Sequence, residues 1–238
     1  MSTKAHTPKQ EAASSTKMLR AMLGIGILSA FLIVSAFELT RPRVERLKAE
    51  ALEKAVFNVL PGTESTRAFG INSEGEWVDK ASGENTEYTC YAGYDQNENL
   101  VGYAVEAAGQ GYADIIRILY GYDPKEQIVI GFQVLESKET PGLGDKIEKE
   151  QRFLDNFKAL DVGLTPEGQL KNKVITVKEG EKQNPWEIDG ITGATISSRA
   201  IGNIIGASTT EVVPTLHAQS PPMEKTGESK EKPVENNE

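Results

Sequence analysis

The sequence predicts an α+β protein with a single N-terminal transmembrane helix, a helical stalk and one folded domain. Three features support this prediction: an uncharged apolar run over residues 21–37, helical spacing of apolar residues over 44–60, and short strands mixed with helices without regular βα alternation. The expected segments are a disordered cytoplasmic lead (1–17), the transmembrane helix (18–39), the stalk (40–62), the α+β domain (63–213) and a disordered tail (214–238).

The apolar run lies at the short end of a membrane span, which needs roughly 20 apolar residues. The alternative is a cleaved signal peptide, since Val34, Ser35 and Ala36 offer small residues to a peptidase. We favour a retained anchor, because the run is longer than a usual signal core and continues into the stalk. Charge does not orient the span, because basic residues flank both of its ends: Lys4, Lys9, Lys17 and Arg20 before it, Arg41, Arg43, Arg46 and Lys48 after it.

The stalk is predicted from apolar residues at helical spacing: Val44, Leu47, Leu52, Val56 and Leu60. Pro42 is expected to break this helix near its start. The dipeptide Pro61-Gly62 is expected to end it, because Pro and Gly commonly follow helices.

The domain is predicted to begin with two strand pairs. "EYTCYAGY" pairs with "LVGYAVEAAG", and "GYADIIRILYGYD" pairs with "QIVIGFQVLESKE" through a turn at Asp123-Pro124. A short helix ("EQRFLDNFKAL") and a strand ("NKVITVKEG") follow. A final helix is expected to bury one apolar face, made of Ile196, Ala200, Ile201, Ile204 and Ile205.

Composition excludes several kinds of site. The formal net charge of −9 argues against general binding to nucleic acid. The two histidines, His6 and His217, lie in polar tails, and Cys90 is the one cysteine, so Cys-His metal sites and c-type haem attachment are not expected. Cys90 is predicted to be a packing residue in a strand. Redox chemistry would therefore need a cofactor that does not depend on Cys or His.

The segment "KETPGLGDK" (residues 138–146) is the first candidate site. Pro141-Gly142 favours a type II turn, and Gly144 leaves the backbone bare beside Leu143. Such a loop can simply reverse the chain. It can also bring backbone amides close to a flat ring or an anion.

The segment "DGITGATISS" (residues 189–198) is the second. Thr192 is a candidate N-cap for the final helix, which places Thr195 in the first turn, among amides without intrahelical acceptors. A phosphate is stabilised at such a position, and Gly193 and Ala194 leave room for a large group beside the Thr195 hydroxyl. The alternative is a plain capped helix.

These residues resemble a known motif. Asp189, Thr192, Gly193, Ala194 and Thr195 match the flavinylation motif of the FMN-binding domain family, which includes the G subunit of the Rnf electron-transport complex and the C subunit of the sodium-pumping NADH:quinone oxidoreductase. The segment "ETPGLGDKI" is more similar to the Rnf members. One departure is "GQGYADII", where Ala113 stands in place of the usual glycine or serine; this slightly weakens the case for contact between that turn and the flavin.

The resemblance implies that Thr195 carries FMN through a phosphoester bond, installed by a flavin transferase that uses FAD and a divalent metal. Thr192 would not be modified. The resemblance implies neither a catalytic acid or base nor a resident metal. The expected cofactor-binding residues are Glu139, Thr140, Gly142, Leu143, Gly144, Asp189, Gly190, Thr192, Gly193, Ala194 and Ile196.

The resemblance also implies a role as a subunit of an oxidoreductase complex, a translocase, that couples electron transfer between ferredoxin and NAD to Na⁺ or H⁺ translocation. The chain would relay electrons beside other membrane and peripheral subunits, with its flavin domain on the periplasmic side of the cytoplasmic membrane. Three different readings of the chain remain open: a quinone-reductase C-type subunit, a cofactor-free membrane-tethered scaffold, and a secreted domain cleaved at Ala36.

Overall fold

The computed structural model describes residues 15–72, 75–79 and 86–218, so most of the predicted lead and tail lie outside the described residues. The chain divides into two compact units, residues 1–50 and 51–238. The described part of the first unit is the N-terminal portion of helix α1 (Ser15–Val59), which is long and apolar enough to cross a membrane. No part of its most apolar window is buried by protein. Helix α1 continues through Pro42 instead of breaking there, although proline removes one backbone donor and crowds the carbonyl four residues before it.

The second unit contains a seven-stranded antiparallel sheet, which confirms the α+β class and both predicted strand pairs. Its order is β2-β1-β3-β4-β5-β6-β7. The strands are β1 (Ser65–Ile71), β2 (Trp77–Asp79), β3 (Tyr88–Tyr94), β4 (Leu100–Gln110), β5 (Ile115–Asp123), β6 (Ile128–Glu136) and β7 (Leu160–Asp161). A separate parallel pair joins β8 (Ile175–Val177) to β9 (Glu187–Asp189).

The remaining helices are α2 (Lys146–Lys149), α3 (Gln151–Leu154), a 3₁₀ turn (Asp155–Lys158) and α4 (Thr195–Ala218). Helix α4 extends past residue 213, the expected end of the domain, and it accommodates Pro214. The reason is burial: Val212, Val213 and Leu216 are at most 3% exposed, and their apolar contacts outweigh the backbone bond that proline removes.

Side chains alternate along each strand, so the sheet presents side chains on two faces. Both faces are covered by other parts of the protein. Cys90 belongs to the larger core, which includes the buried face of α4, whereas its neighbour Tyr91 packs with the end of α1 on the other side. Burial raises the pKa of the Cys90 thiol to about 12, in agreement with a packing role.

The end of α1 lies very close to the sheet. Val56, Val59 and Leu60 are buried there, whereas the predicted stalk positions Val44 and Leu47 are 46% and 49% exposed. Glycines on four adjacent strands make room for this helix end; they form two cross-strand pairs, Gly93 with Gly102 and Gly121 with Gly131. A Cβ on Gly121 or Gly131 would lie 2.1 or 2.5 Å from the Val59 carbonyl oxygen, and a Cβ on Gly93 or Gly102 would lie 3.0 or 3.1 Å from the Leu60 side chain. We call these four glycines the glycine row.

Candidate functional site

A cavity of about 370 Å³ lies between the loop after β6 and the N-terminal end of α4. We call it the first cavity, and its size is within the range of small-ligand sites, roughly 300–1,000 Å³. It brings together the two segments that the sequence singled out. Its lining is Tyr112, Glu139, Thr140, Leu143, Gly144, Gly193, Ala194, Thr195, Ile196 and Ser197.

Helix α4 begins at Thr195 itself. The N–H of Ser198 donates to the Ala194 carbonyl at 2.9 Å, so Ala194 occupies the N-cap position. The amides of the first three helical residues, from Thr195 to Ser197, precede that bond and have no intrahelical acceptor. The side chain of Thr195 is exposed beside them. An anion at this end of the helix would meet these donors and the positive end of the helix dipole.

Thr192 is not the N-cap, so that prediction was wrong. It lies in a turn closed by the Ala194 N–H, which donates to the Ile191 carbonyl at 3.1 Å, and Gly193 adopts the positive φ of 84° that the turn requires. The Thr192 N–H donates to Glu179 Oε2 at 2.9 Å. Hydrogen bonds from the Thr192 hydroxyl and then its amide lower the pKa of the Glu179 carboxyl.

Thr195 also borders a second cavity, of about 310 Å³. The lining of this second cavity is more charged than that of the first: it includes Lys178, Glu179, Glu181 and Arg199. Arg199 lies four residues after Thr195 on α4, so the two side chains share one helix face. The Thr195 side chain is therefore accessible from both cavities.

Large apolar side chains stand exposed around the first cavity. Tyr112, Leu143 and Ile196 are 66%, 54% and 56% exposed, although each is large and apolar in its body. Ile196 was predicted to lie in the buried stripe of the helix; it faces the first cavity instead, because Ser197 and Ser198 form the buried face of this turn. Exposed apolar groups gathered at a concave site mark a binding surface.

Glu139 has a different environment from Tyr112, Leu143 and Ile196, which we call the apolar rim. It is 6% exposed, and its Oε1 accepts the N–H groups of Tyr112 and Ala113 at 2.8 and 3.0 Å. Its Oε2 accepts the Ser197 hydroxyl at 2.5 Å. Gly144 packs against the same carboxylate, since a Cβ there would be 2.3 Å from Oε2. Glu139 therefore joins three segments of the cavity wall.

Four of the predicted site residues do not line the first cavity. Gly142 forms the predicted turn with a φ of 78°, and its N–H donates to Asp145 Oδ1 at 2.7 Å. Gly190 and Thr192 line the second cavity. Asp189 lines neither; its Oδ1 accepts the Gly180 N–H at 2.6 Å, and its Oδ2 accepts Arg152 at 3.3 Å.

Sequence reasoning missed Tyr112 and Ser197. The dipeptide Gly111-Tyr112 could have indicated Tyr112 as a site residue, but Ala113, which follows it, departs from the family pattern. The structure removes that objection, because Ala113 contributes its backbone N–H to Glu139, and a backbone donor is available from any residue except proline. Ser197 gave no signal of its own, since its partner Glu139 is 58 residues away in sequence.

Comparison with known proteins agrees with this geometry. A family model described as FMN-binding domain matches residues 111–208, which contain the whole lining of the first cavity. The C subunit of the Na⁺-translocating NADH-quinone reductase from Parabacteroides distasonis has the same fold; the TM-score is 0.57 at 22% identity, covering 75% of this chain and 98% of that one. Fold and site together define an FMN-binding domain protein.

The relatives narrow the class. The G subunit of an ion-translocating oxidoreductase complex from Methanosarcina acetivorans is 30% identical over 192 residues, covering 78% of this chain and 88% of that one. Its counterpart from Haemophilus influenzae strain PittEE is 41% identical over 106 residues, which are 44% of this chain and about half (47%) of that one. The chain belongs to the family of G subunits of ion-translocating oxidoreductase complexes.

The residues present fit an FMN group. The apolar rim suits a flat ring, and the unbonded amides at the start of α4 suit a phosphate. A Cβ on Gly193 would have one neighbour within 4 Å, Lys146 Nζ at 3.8 Å, so the turn is open and close to a cation.

Proposed function

We propose that this chain is the electron-relaying flavoprotein of its complex and that it carries FMN covalently on Thr195. The observation that carries the proposal is the position of Thr195: it is exposed at the first residue of α4 and borders both cavities, beside the apolar rim. The flavin would supply transfer of one or two electrons, which no side chain of this site provides.

The chain would bind and orient the group. The amides of Thr195 to Ser197 would face the phosphate, and Lys146 and Arg199 would reduce its charge from two sides. Tyr112, Leu143 and Ile196 would hold the ring in the first cavity and exclude water from it. Neither Thr195 nor its neighbours would transfer protons to a substrate.

Attachment would be a phosphoryl transfer. Thr195 would supply the hydroxyl oxygen for a bond to the FMN phosphorus of FAD; AMP would be the leaving group, and the hydroxyl proton would pass to the flavin transferase. The family resemblance implies that FAD and the divalent metal are bound by that enzyme. The protein contributes an exposed hydroxyl with space around it, through Gly193 and Ala194.

Within the complex, we infer that the chain relays electrons between ferredoxin and NAD while other subunits move Na⁺ or H⁺. Residues 21–37 contain no ionisable side chain, which supports an ion path in the partner subunits. We place the anchor in the cytoplasmic membrane, with the flavin domain on its periplasmic side. Labelling of a cysteine introduced at an exposed site, in intact cells with an impermeant reagent, tests that side.

The test of the covalent site is flavin fluorescence of the denatured protein band after expression with a flavin transferase. We expect fluorescence in the wild type and none in Thr195→Ala. Thr192→Ser is the matched control, because it keeps a hydroxyl in the same turn, and it should stay fluorescent. A dark wild type, with a transferase that labels a control protein, would favour the cofactor-free scaffold.

Two further measurements distinguish the proposed role from a secreted domain and from a quinone reductase. The intact mass of the mature chain separates a retained anchor from cleavage at Ala36. Reduction assays with quinone, compared with assays using ferredoxin and NAD on the assembled complex, separate the quinone-reductase role from the one proposed here.

A further inference from the structure

Glu139 is a buried carboxylate in the wall of the first cavity without a cationic partner. Among the described residues, no Lys or Arg nitrogen lies within 4.0 Å of it, and the adjacent Lys138 pairs with Asp114. Its three partners are neutral donors: the N–H groups of Tyr112 and Ala113, and the Ser197 hydroxyl. A buried charge paired only by neutral groups is costly, so a functional reason for it is worth seeking.

Two glycines show how closely the chain surrounds this carboxylate. A Cβ on Gly111 would lie 2.6 Å from Oε1, and a Cβ on Gly144 would lie 2.3 Å from Oε2. Neither glycine has a positive φ, so glycine is required at these positions by the lack of space for a side chain and not by the backbone conformation. The backbone approaches Glu139 from both sides, and the carboxylate has little freedom to move.

The hydrogen bonds of Glu139 join parts of the site that are distant in sequence. Tyr112, on the rim, is 27 residues away, and Ser197, in the first turn of α4, is 58 residues away. One side chain thus fixes the apolar rim relative to the helix end that begins with Thr195. A shift of either wall would change the space between the ring-binding rim and the attachment point.

We propose that Glu139 is a positioning residue for the flavin, which sets the separation of the two cavity walls and makes the flavin harder to reduce through its fixed negative charge. The proposal rests on the proposed function. Reduction adds negative charge to the flavin, and a carboxylate in the cavity wall opposes that charge more strongly than it would in water. Glu139 would therefore position the group by its hydrogen bonds and tune it by its charge.

Substitutions can separate these two roles in the full-length chain, purified in detergent after flavinylation. Glu139→Gln removes the charge but can keep the contacts, because its carbonyl can accept both N–H groups and its amide can donate to Ser197 Oγ. Ser197→Ala keeps the charge and removes the bond to α4. Glu148→Gln, at an exposed carboxylate of α2, is the control.

We expect Glu139→Gln to retain covalent flavin, with a midpoint potential more positive by about 30 mV, a tenfold change in the two-electron equilibrium constant. We expect Ser197→Ala to retain covalent flavin but to show weaker visible circular dichroism and stronger native-state flavin fluorescence. Both signals report how firmly the ring is held. Glu148→Gln should match the wild type in potential, dichroism and fluorescence.

An unchanged potential in Glu139→Gln together with unchanged flavin signals in Ser197→Ala would overturn the proposal. If the wild type takes up no flavin, the proposed function fails by itself. Hydrogen exchange of the apoprotein then tests the positioning role: Glu139→Ala should lose protection at the Tyr112 and Ala113 amides, and full protection there would refute it. If Glu139→Ala does not fold, the same measurement on Ser197→Ala at the Ser198 amide, the first hydrogen-bonded amide of α4, decides the question.

Discussion

Gly121 in the glycine row provides a direct test of how the end of α1 is held on the sheet. A Cβ at this position would lie 2.1 Å from the Val59 carbonyl oxygen, 2.9 Å from its carbon and 3.1 Å from Leu60 Cδ2. The first two atoms belong to the backbone, so no side-chain rotation relieves the contact. Gly121→Ala must therefore displace either β5 or the last turn of α1.

The loss of folding stability expected for Gly121→Ala has a lower and an upper estimate. If the structure absorbs the methyl group by strain, the cost is that of overpacking, about 1–3 kcal/mol. If the helix end lifts off, Val56, Val59 and Leu60 lose their burial at about 1.5–3 kcal/mol each, so undocking costs roughly 4.5–9 kcal/mol. The cheaper response is strain. Strand propensity partly offsets this loss of stability, because alanine in place of a strand glycine stabilises the fold by roughly 0.5–1 kcal/mol.

Urea unfolding followed by the fluorescence of Trp77 and Trp186 measures the effect in the full-length chain. We expect Gly121→Ala to lower the free energy of unfolding by up to about 2.5 kcal/mol, because the overpacking cost is reduced by the gain in strand propensity, and to lower the melting temperature by roughly 2–4 °C per kcal/mol. Gly163→Ala is the control, because its nearest contact, at 3.1 Å, is the end of the Asp161 side chain and not backbone. If Gly121→Ala is as stable as Gly163→Ala, the close approach of helix and sheet is not what requires glycine.

Three other predictions concern the site and the core. Gly193→Val should reduce flavinylation, measured by intact mass, because a β-branched residue is strained at a φ of 84°; wild-type labelling would contradict the turn geometry. Glu179→Gln should destabilise the fold at neutral pH: the lowered pKa means that ionised Glu179 stabilises the fold above its ordinary value of 4.5, and this contribution is lost as pH falls through the lowered folded-state value. Urea titrations across that range should show the difference from wild type shrinking towards acid; a constant difference would argue against the Thr192 contact. Cys90 should resist maleimide in the native state and react after unfolding, and rapid native labelling would contradict its burial.

Much of the fold could be predicted from the sequence because local signals were strong. Alternation over "EYTCYAGY" and "LVGYAVEAAG" identified β3 and β4, and the uncharged run over 21–37 identified the apolar part of α1. Proline was the misleading signal at Pro42, where the helix continues in spite of the backbone bond that proline removes. Helix α4 likewise continues through Pro214, beyond the predicted end of the domain at residue 213.

The candidate site could be predicted in its segments but not in its internal contacts. Loop chemistry indicated the turn at Gly142, which exists, whereas the turn in residues 191–194 was not predicted. The bonds of Glu139 to Tyr112 and Ser197 depend on how distant segments pack, and no local pattern encodes them. For the same reason Thr192 looked like a cap: a threonine before a helix has the same local signature whether its partner is the helix or Glu179.

The structure divides the motif from Asp189 to Thr195 into two parts with different physical roles. Asp189 and Thr192 hold the turn from outside the first cavity, through Gly180, Arg152 and Glu179. Gly193, Ala194 and Thr195 face the first cavity and provide space and a hydroxyl. If every residue of the motif contacted the cofactor, all five would be expected to line the cofactor site. The geometry instead assigns the outer pair to the backbone of the turn, because a helix that begins at Thr195 presents its hydroxyl and unbonded amides together only if the preceding turn is fixed.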